Sequence, residues 1–145
     1  MIFKSIIEIP RSALILGFSG LIPFVFFGGM ALYQAPNIQP EIYPAIITYG
    51  AIILSFLGGV RWGIAINRHN SASLFQPLIV SVIPPLVGWF AIFMKADAGL
   101  LLLLVSFLLM LLLDLKAHYA PAWYLTLRIP LSLVVLVSLS TVLII

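Results

Sequence analysis

Residues 48–67 read Thr48-Tyr49-Gly50-Ala51-Ile52-Ile53-Leu54-Ser55-Phe56-Leu57-Gly58-Gly59-Val60-Arg61-Trp62-Gly63-Ile64-Ala65-Ile66-Asn67, and this stretch decides the fold. It matches the roughly 20 residues that a helix needs to cross a bilayer. It is almost wholly apolar, yet it carries an arginine well inside its length, and it holds four of the chain's ten glycines. Steps of four residues pick out Ala51, Ser55, Gly59 and Gly63, a stripe of small side chains on one helix face. The stripe predicts close backbone contact with another helix, tightest at Gly59 and Gly63. The stretch is read as the central helix of a membrane bundle.

The composition agrees. The 145 residues are 63% hydrophobic and 8% charged, with a mean hydropathy of +1.26. A soluble domain carries about a quarter of its residues charged, so this chain needs lipid around it. The net charge of +3 comes from scattered single residues, which argues against nucleic-acid binding. The absence of cysteine excludes disulfides, thiolate metal sites and thiol catalysis.

Outward from the central helix, the apolar pattern predicts five spans at about 12–32, 44–67 (beginning at Ile42 or Pro44), 73–94, 98–113 and 121–145. Residues 2–11 have an amphipathic pattern suited to the headgroup zone, or form a frayed end. The run 12–32 is too long for a signal-peptide core and is read as a retained span. Pro23 lies in its middle and should kink it; Pro84 and Pro85 should break or sharply bend the third span. The fourth span is nearly pure leucine and is expected to face lipid on most sides. Pro121 suits the first position of the fifth. Ile22-Pro23, Ile83-Pro84 and Ile129-Pro130 recur in the odd spans, as a worn repeat or as coincidence.

Five spans place the termini on opposite sides. With the N-terminus inside, Lys4, Arg11, Arg68 and Lys116 fall on the inner side and Lys95 outside, so the positive-inside rule gives N-inside, C-outside. Arg61 then lies about 9 Å and Arg128 about 10 Å from the inner ends of their helices. Asp114 closes the fourth span on the same side.

An unpaired arginine in hydrocarbon costs at least roughly 2.5–3.5 kcal/mol on insertion scales. Three arrangements relieve that cost. Asp114 can pair with both arginines, each arginine can snorkel to the headgroups, or the two can converge on an anionic ligand such as a lipid phosphate. These three residues are the candidate binding site. His69 and His118, one in each inner loop, are read as solvated rather than as haem or metal ligands. No nucleophile–base pair, phosphate loop or metal-spaced set is present, so no catalytic residue and no cofactor is expected. Trp62, Trp89, Trp123, Tyr119 and Tyr124 lie mostly near span ends, as interfacial aromatics do. Ser55, Ser81 and Thr141 are hydroxyls of the kind that bond their own helix backbone.

The motif Tyr49-Gly50-Ala51 followed by Leu54-Ser55-Phe56-Leu57-Gly58-Gly59-Val60-Arg61-Trp62-Gly63 stands between two others. Gly20-Leu21-Ile22-Pro23-Phe24 precedes it; Pro121, Trp123-Tyr124-Leu125, Leu127-Arg128 and Pro130-Leu131 follow it. On these residues the chain resembles the transmembrane-protein-69-like family, small membrane proteins of bacteria and mitochondria built on a domain of unknown function. The resemblance covers nearly the whole chain. It implies a five-span inner-membrane protein and brings no catalytic residues.

The function expected from these features is that of a non-catalytic accessory or assembly subunit. Its partners would be membrane lipids and a larger inner-membrane complex, respiratory or otherwise energy-transducing, in bacteria or mitochondria. The alternative is a small transporter or anionic-lipid-binding protein with its site near Arg61, Asp114 and Arg128. A redox subunit using His69 or His118 comes third.

Overall fold

The computed structural model describes residues 9–67, 73–116 and 120–145. Described residues fold into six helices: α1 (Arg11–Ser19), α2 (Ile22–Gln34), α3 (Ile42–Ile66), α4 (Phe75–Ile92), α5 (Ala96–Lys116) and α6 (Ala122–Ile144). Helices α1 and α2 form one span, so the chain has five helical segments long and apolar enough to cross a membrane. Each span packs on its neighbour in sequence, and α6 closes the ring by packing on α2. Helix α5 also contacts α3 across the ring. Phe24, Ile46, Leu54, Leu100, Leu103, Phe107, Leu139 and Val142 are sealed at the centre. There Phe24 meets Tyr49 and Phe107 edge-on, at ring separations of 5.1 and 6.0 Å.

The first span breaks ahead of its proline. Pro23 sits in the first turn of α2, and the interruption falls at Gly20 and Leu21. Proline fits a helix start because its missing N–H has no partner there anyway. The Gly20 carbonyl at the break accepts a hydrogen bond from the Tyr49 hydroxyl at 2.9 Å. A polar group exposed by the interruption is thereby satisfied from α3 rather than left bare in an apolar layer.

Of the break or sharp bend expected in the third span, the break is absent: helix α4 runs unbroken through Pro84 and Pro85. Pro85 has no N–H to offer the Ser81 carbonyl one turn earlier, and Gly58 of α3 packs directly on that carbonyl: a Cβ built on Gly58 would lie 2.5 Å from the Ser81 oxygen. Close glycine backbone fills the side where a side chain would have forced the helices apart. The leucine-rich span is also longer than expected, Ala96–Lys116, and although Leu101, Val105, Leu108, Leu109, Leu112 and Leu113 face outward as expected, one face is buried. Gly99, Leu100, Leu103, Phe107, Met110, Leu111 and Asp114 form a buried stripe along it. A sequence that is leucine on every face hides such a stripe, because periodicity needs polar residues to show.

The small-residue stripe lies elsewhere than the sequence places it. Ala51 is buried against Gly88 of α4, with the Ala51 carbonyl 3.0 Å from where a Gly88 Cβ would stand. Ser55 is half-buried and donates to the Ala51 carbonyl at 2.8 Å. Gly59 and Gly63, however, are exposed, and a Cβ on either meets nothing within 4 Å. The close contacts of α3 run through Gly50 and Gly58 instead, one of them against Leu103 and the other against Ser81 and Pro85. Counting by four from Ala51 selects a row that turns off the contact face; the row Gly50, Leu54, Gly58 stays on it.

Candidate functional site

Three helices bring charged side chains together at one end of the bundle. Arg61 stands five residues before the end of α3, Asp114 two before the end of α5, and Arg128 six after the start of α6. Because α3 and α5 finish where α6 begins, residues remote in sequence meet at one level. The Asp114 carboxylate accepts from both guanidinium groups, one on each oxygen: Arg61 Nη1 donates to Oδ1 at 2.8 Å and Arg128 Nε to Oδ2 at 2.9 Å. The three side chains are only 10%, 4% and 7% exposed, in chain order. The arginines are therefore held by a shared counter-charge inside the bundle rather than extended to its surface.

Sequence reading missed two members of this cluster. Arg128 Nη1 donates to the Ser132 hydroxyl at 2.9 Å, and Ser132 is fully buried. Stepping four residues from Arg128 along the helix would have found it. Tyr124, one turn upstream of Arg128 and half-buried, lies within electrostatic range of Asp114 and both arginines. Two of the serine and threonine hydroxyls singled out from sequence bond their own helix as expected. Ser81 donates to the Pro77 carbonyl and Thr141 to the Val137 carbonyl, each one turn back.

A triad of this kind fixes three helices in register, with both oxygens of the Asp114 carboxylate engaged by guanidinium groups. The cavity of about 460 Å³ lined by Leu86, Val87, Trp89, Phe90, Met94 and Leu102 lies toward the opposite end, between α4 and α5, and is apolar. His69 and His118 lie outside the described residues, as do Lys4, Arg68 and Tyr119.

Comparison with known proteins places this architecture. No solved structure matches the chain. Two curated relatives carry the name Transmembrane protein 69. The one from Xenopus tropicalis is 35% identical over 144 residues, covering 94% of this chain and 55% of its own length. The other, from Mus musculus, is 31% identical over 144 residues, covering 96% of this chain and 58% of its own. The chain thus spans a little over half the length of the relatives it matches. A family model described as "Protein of unknown function (DUF3429)" matches residues 9–144. With the family model matching residues 9–144 and five apolar spans in the structure, the chain belongs to this Transmembrane-protein-69-like family of multi-pass membrane proteins.

Proposed function

We propose that the chain is a non-catalytic accessory or assembly subunit that docks, helix against helix, on a larger inner-membrane complex of the respiratory or other energy-transducing kind. The observation that carries this reading is the division of polar and apolar surface. Arg61, Asp114 and Arg128, the charged groups set back from the ends of the spans, pair inside the bundle, while the outward face of α3 presents Gly59 and Gly63 with open space over both. Small residues let a neighbouring backbone come close where lipid offers no hydrophobic drive to associate. Purification in mild detergent from the native membrane tests it. Wild-type protein is expected to co-migrate with a large complex, and Gly59→Leu to migrate alone while keeping the bundle's own stability. Wild-type protein that migrates alone from native membrane contradicts the reading.

The same reading sets the chain in a bacterial or mitochondrial inner membrane with the triad toward the inner face, where the positive-inside rule puts Lys116 and Arg11. Single cysteines at Asn37 or Asp97, both exposed and at the other end of the bundle, should react with a thiol reagent confined to the outside. A cysteine at Asn67 should be shielded. The reverse pattern overturns the orientation.

A further inference from the structure

The two helices of the first span are held to the bundle very unequally. No residue of α1 is buried, and its Ile15, Leu16 and Phe18 face outward. It packs mainly on α6, where Gly17 lies against Leu127 and Leu131. Helix α2 instead buries Phe24, Gly28 and Ala31 and packs on both α3 and α6. Between the two helices the backbone ladder closes off on each side. On the α1 side the Leu21 N–H donates to the Phe18 carbonyl at 3.0 Å, and on the α2 side the Val25 N–H donates to the Leu21 carbonyl at 3.0 Å. Pro23 has no N–H to offer the Ser19 carbonyl one turn back. The Tyr49 hydroxyl, donating to the Gly20 carbonyl, ties the break to α3. A short element with few buried apolar contacts, joined through an interrupted ladder, opens at less cost than the body that carries it.

We propose that α1 is a movable arm, which pivots at Gly20 and Leu21 and swings off α6 while α2 stays docked. Lipid is as apolar as the leucines of α6, so parting the two surfaces carries no hydrophobic penalty and loses only the packing at Gly17. The Tyr49 hydroxyl is the latch. Phe24, edge-on to the Tyr49 ring at 5.1 Å, keeps the α2 side of the hinge in place. A swing of α1 uncovers Leu127 and Leu131, the strip of α6 that flanks Arg128, and gives the bundle a lateral opening at the triad end.

Distances between spin labels test the arm, and the lack of cysteine in the chain allows labels to be placed in defined pairs. One pair joins Ile15 of α1 to Leu112 of α5, and a control pair joins Leu32 of α2 to Leu101 of α5; all four positions are exposed. In lipid nanodiscs the first pair is expected to show two distances and the control pair one. Tyr49→Phe keeps the ring against Phe24 and removes the latch. It should raise the open-to-closed ratio roughly two- to tenfold, as the loss of one hydrogen bond does, with the control distance unchanged. Gly17→Leu should raise the ratio as well, because Leu131 Cδ1 stands 3.0 Å from where a Gly17 Cβ would be. Pro23→Ala returns an N–H to the ladder and should lower it. A single distance for the Ile15 pair in the wild-type protein overturns the proposal, and so does a Tyr49→Phe ratio equal to that of wild type. Equal spread in both pairs overturns it too, since the whole bundle would then be loose rather than one arm.

Discussion

Asp114→Asn is expected to be the most damaging single charge change in this protein. The substitution keeps the size of the side chain but removes the counter-charge that both Arg61 and Arg128 share. Removing one partner of a buried ion pair costs about 3–5 kcal/mol, because the other charge stays buried and uncompensated. Here two cations are left in that condition. Asp97→Asn, at an exposed carboxylate on the first turn of the same helix, should stay within about 0.5 kcal/mol of wild type. Denaturant titration in detergent, followed by helical circular dichroism, reads both. An Asp114→Asn variant within about 1 kcal/mol of wild type would mean that the triad does not hold the bundle together.

The second large effect is at Gly58, one residue from where the sequence alone places it. A Cβ there would lie 2.5 Å from the Ser81 carbonyl oxygen and 2.7 Å from Pro85 Cδ. Both obstacles belong to rigid parts of α4, one to the backbone and the other to a proline ring, so neither can swing away. Gly58→Ala is expected to destabilise by about 1–3 kcal/mol, and Gly58→Leu to abolish the folded monodisperse protein. Gly59→Leu should leave the isolated bundle folded, since nothing stands within 4 Å of its Cβ. Size-exclusion chromatography and thermal unfolding of the three variants decide the matter. If Gly59→Leu fails to fold while Gly58→Leu survives, the packing face of α3 has been assigned to the wrong row.

The spans and the triad were legible from sequence for a common reason: both rest on costs that the bilayer enforces. Long apolar runs have one stable form in lipid, and charged groups at matching depth in an apolar layer seek each other. Counting residues from the helix ends was enough to put Arg61, Asp114 and Arg128 at one level. Details that depend on rotation about a helix axis were not legible. Gly58 and Gly59 differ by about 100° around α3, and in a chain apolar on nearly every side no polar stripe shows which of the two faces inward. Leucine on all sides of α5 hid its buried row for the same reason. The prolines show another limit: a local rule predicts what proline removes, whereas what then packs or bonds there comes from elsewhere in the fold, the Tyr49 hydroxyl donating to the Gly20 carbonyl and the Gly58 backbone lying close against Ser81 and Pro85.

The ion triad is the central claim, and a double-mutant cycle on Arg61→Gln and Asp114→Asn tests it most directly. Unfolding free energies of wild type, the two single variants and the double variant give the coupling between the side chains. A shared buried carboxylate predicts that the double variant is less damaged than the sum of the singles, with a coupling of about 2 kcal/mol or more. Small, additive effects, with coupling near zero, would contradict it and return both arginines to the membrane surface as independent snorkelling side chains.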